Sequence, residues 1–299
     1  PLKAVCQLLL AEVGRKQRRS MEPMISLIDS TCITLRGPRF DDWTLATKTR
    51  ITQGLKLHVG LDAKQFTPTY VNVTPANIND LSDALQMPIE SGVTYVFDKG
   101  YCDYNWWYQI HCAGAYFVTR LKSNAGVQVL ADNTQDSSEH PEILGDHLIS
   151  FKNRRPGGKR INQYHGTPLR RVLVAREDGR PALVIATNDL ASPASVIAAN
   201  YKARWGIELF FKWLKQNLSV RTFLGRSENA VKIQIFVALI TYLLLQIQHA
   251  GSAAVSSLRC SLTELRAGLF QRKETDHQLL QRRQRRQLIW TRMQGALPL

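Results

Sequence analysis

The chain has 299 residues, with 39 Lys and Arg against 24 Asp and Glu, a formal charge of +15 and a pI near 9.8. At 44% apolar and 21% charged residues it can bury a sizeable core, which excludes wholesale disorder and low-complexity scaffolding. Five cysteines (Cys6, Cys32, Cys102, Cys112, Cys260) are odd in number and form no C-x-x-C pair, so neither a disulfide framework nor a zinc knuckle is expected, and the compartment reads as reducing.

The surplus of positive charge points to a polyanion, most often nucleic acid, because each Lys or Arg that meets a phosphate releases counterions. Residues 1–20 end in Arg15, Lys16, Arg18 and Arg19, which read either as a solvated tail or as a DNA-backbone contact. From Met24 the texture turns β-branched. Residues 24–35, 54–62 and 67–74 read as three successive strands. A helix over 77–86, a buried strand over 92–98, a helix over 104–112 and a strand over 115–121 follow. The order βββαβαβ is that of a ribonuclease-H-like α/β core, a mixed sheet flanked by helices.

Between 122 and 190 the pattern changes to polar turns and alternating strands, with a hairpin signal at Glu177-Asp178-Gly179 between 167–176 and 180–187. This reads as a β-rich insertion. Its Lys152, Arg154, Arg155, Lys159, Arg160, Arg170 and Arg171 suit phosphate contacts if they share a face. Residues 233–247 are apolar but interrupted by Gln234, Thr241 and Gln246, and at that length fall short of the ~20 a membrane span needs; a buried helix is expected. The domain reading is a basic N-terminal remnant at 1–20, a catalytic core at 21–121 and 191–250, the insertion at 122–190, and a basic tail at 251–299.

The most informative stretch is 201–218. On a helical wheel with Tyr201 at zero, Arg204 falls at about 300°, Glu208 at about 340° and Lys215 at about 320°. All four share one face. Ala203, Ile207, Phe210 and Leu214 lie opposite, where they anchor the helix to a core. A solvated face with an i,i+4 Arg–Glu pair would look similar and is worth only a few tenths of a kcal/mol. The spacing Y-x2-R-x3-E-x6-K, however, resembles the signature of the insertion-sequence-four family of bacterial DDE transposases.

The resemblance covers residues 24–249, including Gly225-x-Ser227-x-Asn229-Ala230, and it implies that Glu208 is the third of three catalytic carboxylates. Two aspartates fit the upstream positions: Asp29 in Ser26-Leu27-Ile28-Asp29-Ser30-Thr31, and Asp98 in Tyr95-Val96-Phe97-Asp98-Lys99-Gly100-Tyr101. Singly, each reads as a turn former or cap; with Glu208 they form an ordered set, the insertion lying in the longer gap. The resemblance further implies DNA contacts by Tyr201, Arg204 and Lys215, and a Lys-x-His on the second strand, matched by Lys56 and His58. Three carboxylates are the hard oxygen donors that two Mg2+ ions need for phosphodiester cleavage, with Mn2+ as substitute. It implies double-stranded DNA partners (transposon ends and target), a homodimer on two ends, no membrane, and a bacterial cytoplasmic, nucleoid-associated site of action.

Other residues carry structural expectations. Asn188 and Asp189 read as a helix-entry turn, Trp106 and Trp107 as half-buried helix residues rather than a base-stacking platform, and His111 beside Cys112 as too little for zinc. The chain starts at Pro1 with only 28 residues before Asp29, where the family carries a longer DNA-binding region, so an upstream segment is expected to be missing. The alternatives left open are a decayed, non-catalytic DNA-binding protein and a structure-selective nuclease on the same fold.

Overall fold

Strand-forming residues from distant parts of the chain meet in one sheet. The computed structural model describes residues 1–17, 23–134, 140–156, 159–176, 179–217, 223–250 and 263. The elements in order are α1 (Leu2–Gln17), β1 (Ile25–Thr34), α2 (Asp41–Thr44), β2 (Gly54–Asp62), β3 (Pro68–Pro75), α3 (Asp80–Ala84), β4 (Thr94–Val96), α4 (Tyr104–Cys112) and β5 (Tyr116–Arg120). The β-rich stretch supplies β6 (Val127–Asp132), β7 (Ile143–Phe151), β8 (Leu169–Val174) and β9 (Leu183–Thr187), and the chain continues through α5 (Ala194–Ala203), α6 (Trp205–Asn217) and α7 (Glu228–Ala250). Pro1–Ile247 form one compact unit and Gln248–Leu299 another. The basic run at Arg18 and Arg19 and nearly all of the expected C-terminal tail lie outside the described residues.

Among the described residues the sheet has nine strands in the order β3-β2-β1-β4-β5-β9-β8-β7-β6. β1, β2 and β3 are antiparallel, whereas β1, β4 and β5 are parallel. That is the ribonuclease-H-like arrangement the element order led us to expect. β9 then pairs antiparallel with β5, Val118 facing Thr187, so the β-rich stretch prolongs the same sheet. The core follows it: Phe97, Trp106, Trp107 and Phe117 stack with centroid separations of 4.8 Å (Phe97–Trp106) and 5.0 Å (Trp107–Phe117), and Ile149, Phe151, Tyr164 and Leu169 from the β-rich stretch join that cluster.

Several elements differ from their sequence reading. The N-terminal stretch is helical through Gln17 and buries Cys6, because its apolar residues recur at helical spacing. Trp106 and Trp107 are fully buried rather than half-buried, since α4 packs directly over the aromatic core. The helix expected over 77–86 shrinks to Asp80–Ala84, capped by the Asn79 side chain on the Leu81 N–H. The last apolar helix begins earlier than read, at Glu228, where an ion pair to Lys232 supports its first turn. Glu228–Ile247 is consequently long and apolar enough to cross a membrane by length and composition. Part of its surface is packed: Tyr242 meets Phe210 and Trp213 edge-on at 5.0 and 5.1 Å and donates to the Phe66 carbonyl at 2.6 Å.

Candidate active site

β1 passes between β2 and β4 and carries Asp29 opposite Val59. Against it lies α6, whose Ile207, Phe210 and Leu214 are buried as the wheel requires. The close approach depends on Gly206, where a Cβ would stand 3.0 Å from the Phe66 ring and 3.4 Å from Leu27 on β1. The helix expected over 201–218 is interrupted at Arg204, which caps α5 just before α6 begins. Arg204 still reaches Glu208 at 2.8 Å, and its other terminal nitrogen lies 3.7 Å from Asp29 Oδ2. Glu208 and Asp29, 179 positions apart in sequence, therefore face the same guanidinium.

Burial pushes the Asp29 carboxyl up to about 6; the Ser30 N–H and Arg204 oppose the rise, and the negative charges of Asp98 and Glu208 add to it. Each of the three acids thus stands within electrostatic reach of the site. Asp98 follows β4 and caps the turn Lys99–Tyr101: its Oδ1 accepts the Gly100 N–H at 2.7 Å. A Cβ at residue 100 would sit 2.8 Å from that oxygen, so a larger residue there would push the Asp98 carboxylate aside. Thr119 on β5 holds the Asp98 carbonyl at 3.2 Å. Tyr201 is buried, with the Arg204 guanidinium 6.0 Å from its ring centre, and burial raises its phenol above the ordinary range.

Three of the residues singled out in the sequence are tied up within the protein. Lys215 donates to Thr31 Oγ1 at 2.7 Å and to the Cys32 carbonyl at 3.0 Å, lashing α6 to β1. Lys56 donates to the Ile78 carbonyl at 2.8 Å and to Asp80 at 3.1 Å. His58 is buried, bonds Thr74 Oγ1 at 2.7 Å, and lies 3.7 Å from Asp83. Burial pushes its imidazole below the usual range, against the pull of Asp83 and Asp80. Asp80 and Ser30 were not apparent in the sequence: Ser30 Oγ donates to Asp80 at 2.8 Å, anchoring the strand beside Asp29. No motif signals them, because the contact spans fifty positions.

Among the described residues, no three His, Cys, Asp or Glu side chains stand close enough together to hold a metal ion as arranged. The guanidinium of Arg204 occupies the space between two of the acids. Asn188 and Asp189 are structural, Asn188 bridging the Phe117 N–H and Ala115 carbonyl and Asp189 capping the Ala191 and Ser192 N–H groups.

A family model described as "Transposase DDE domain" matches residues 20–244. The chain belongs to the transposase DDE domain family. This DDE domain is 41% identical over 242 residues to a putative transposase, y4zB, of Sinorhizobium fredii (strain NBRC 101917 / NGR234), covering 80% of the chain and 65% of the relative. It is 27% identical over 253 residues to a probable transposase for insertion sequence element IS5377 of Geobacillus stearothermophilus, covering 82% of the chain and 62% of that relative. The chain therefore spans somewhat under two thirds of the length of these relatives. A cryo-EM structure of a piggyBac transposase synaptic complex with hairpin DNA aligns with a TM-score of 0.49 at 11% identity, over 85% of this chain and 55% of that one. DDE domains generally use divalent metals.

Proposed function

We propose that this DDE domain is the catalytic part of an insertion-sequence-four transposase that cuts the inverted-repeat ends of its element and joins the 3′ ends to target DNA, acting as a homodimer in the bacterial cytoplasm at the nucleoid. The observation that carries the reading is the convergence of Asp29 from β1 and Glu208 from α6 on Arg204, with Asp98 adding its charge to the same locus. Two half-buried carboxylates sharing one guanidinium leave negative charge uncompensated, which suits a site for hard cations. The donor set fits Mg2+, with Mn2+ as substitute.

Asp29, Asp98 and Glu208 would hold the ions, which when bound supply Lewis acidity for phosphodiester cleavage. Arg204 offsets part of the charge of Asp29 and Glu208, and the same guanidinium would be free to pair with DNA phosphates were ions to take its place between the acids. Lys215, fixed to β1, keeps the helix carrying Glu208 in register with Asp29. Asp29→Asn, Asp98→Asn and Glu208→Gln are each expected to abolish Mg2+-dependent cleavage of an end-bearing duplex while leaving binding in EDTA intact. Cleavage surviving in any one of them removes that acid from the mechanism.

The Arg204 bridge also favours a second reading, a DNA-binding descendant whose acids are held by the guanidinium instead of by metal ions. A Mn2+ titration of the purified chain followed by electron paramagnetic resonance separates the two: saturable binding lost in Glu208→Gln supports the enzyme, and none in the wild type supports the descendant.

A further inference from the structure

A cleft of about 790 Å³ opens beside Asp98. Its walls are the turn 98–100 after β4 and the segment 120–127 that leaves β5, and its far side is built from Arg171 on β8 with Ala182 and Val184 at β9. Four cations line it, Lys99, Arg120, Lys122 and Arg171, against a single acid, Asp98. None of the four makes an ion pair among the described residues, and the buried Nε of Arg171 has no hydrogen-bond partner. A buried guanidinium nitrogen left without an acceptor is costly to keep. The neighbouring arginine shows the contrast: Arg170, one position earlier and so on the opposite face of β8, is saturated by Asp146 and the Ser192 carbonyl.

The cleft also lies where ligands of open α/β sheets sit, beyond the carboxyl ends of the parallel strands β4 and β5. Small-molecule sites are mostly apolar with a few polar groups. This one has four cations spread over its facing walls beside a proposed catalytic acid, which suits a phosphate backbone passing between them better than a compact apolar ligand.

We infer that this cleft seats the DNA strand running away from the reacting phosphate, with Lys99, Arg120, Lys122 and Arg171 neutralising successive phosphodiesters. The inference rests on the reading that places Asp98 at the reacting site. Of the basic residues of the β-rich stretch it assigns backbone contact to Arg171, whereas Arg170 is consumed by Asp146 and Arg160 pairs with Asp103.

The test uses the full chain and a fluorescein-labelled duplex ending in the inverted repeat that flanks its gene, with anisotropy recorded over a potassium chloride series in EDTA. Replacing Lys99, Lys122 and Arg171 together with Gln is expected to weaken binding and to flatten the dependence of log Kd on log salt by about 0.9 for each phosphate that is no longer neutralised. Because Arg171 is half-buried, the exposed pair Lys99→Gln with Lys122→Gln is measured in parallel, and it should flatten the slope by about two thirds as much. An unchanged slope in the pair overturns the inference. So does saturable binding of inorganic tripolyphosphate by the wild type, abolished in the triple variant, with the duplex slope unaltered, which would mark a small-anion site. The two readings fail separately: cleavage that survives Asp98→Asn beside a flattened slope leaves the cleft standing without the catalytic assignment, and an unaltered slope beside abolished cleavage does the reverse.

Discussion

Asp29 is the residue whose environment has the clearest measurable consequence. Its carboxyl is pushed up to about 6 from an ordinary value of 3.8, first by burial and then by the repulsion of Asp98 and Glu208. Between those two values the native state holds a proton that the unfolded chain has released, so stability falls as pH rises from 3.8 toward 6 and stays lowered above it. Asp29→Asn removes the titration. In EDTA the variant should match the wild type's pH trend below about 4, gain on it through the window, and be more stable at neutral pH by about 2–3 kcal/mol, a range that allows for partial exposure. Urea unfolding at several pH values checks this, and parallel profiles for the two proteins would refute it. The wheel rightly set Arg204 beside Glu208, since an i,i+4 relation is written into the helix itself. It could not show that Asp29 approaches the same guanidinium, nor that Lys215 spends its donors on Thr31 and Cys32, because those partners come from β1 across the fold.

At the level of elements, the strands of the core were legible because alternation and β-branching are local properties: β2 falls on the residues read for it and α4 does as well. The break at Arg204 was not, because helical periodicity runs smoothly through it. What decides the break and the approach of α6 is contact with other elements, chiefly the seat of Gly206 on Phe66 and Leu27. Phe66 itself sits at a positive φ of 53° and its carbonyl accepts from Tyr242 on α7, so its backbone is fixed at this joint. Gly206→Val should therefore overpack the joint, costing about 1–3 kcal/mol and displacing Glu208 from Asp29. Gly206→Ala, whose single methyl would stand 3.0 Å from the ring and so needs only a small shift of it while gaining helix propensity, should cost less than Val. Thermal unfolding together with strand cleavage measures both, and equal behaviour of the two variants would show that the seat is loose.

Across the whole molecule, the change of texture at residue 122 suggested a β-rich insertion, and nothing in the sequence could reveal that β9 returns to pair with β5 or that Phe151 and Tyr164 enter the aromatic core around Trp107. Pairing between distant strands leaves no periodic trace. One buried bond pins this extension to the following helices: Arg170 on β8 grips both Asp146 oxygens, at 2.8 and 2.6 Å, and reaches the Ser192 carbonyl just before α5. Removing one partner of such a pair leaves a buried charge alone, at a cost of about 3–5 kcal/mol. Arg170→Gln should accordingly lower the unfolding midpoint, and because the core is shared the fluorescence of Trp106 and Trp107 should still report one transition, shifted as a whole. Replacing both partners, Arg170→Met with Asp146→Leu, should recover much of the stability. Arg171→Gln, whose side chain faces the cleft and carries an unpartnered buried nitrogen, should not lower stability while altering DNA binding. A second transition in Arg170→Gln, detected by circular dichroism but silent in Trp fluorescence, would mean that the β-rich stretch unfolds on its own and that the continuous sheet does not couple the two halves.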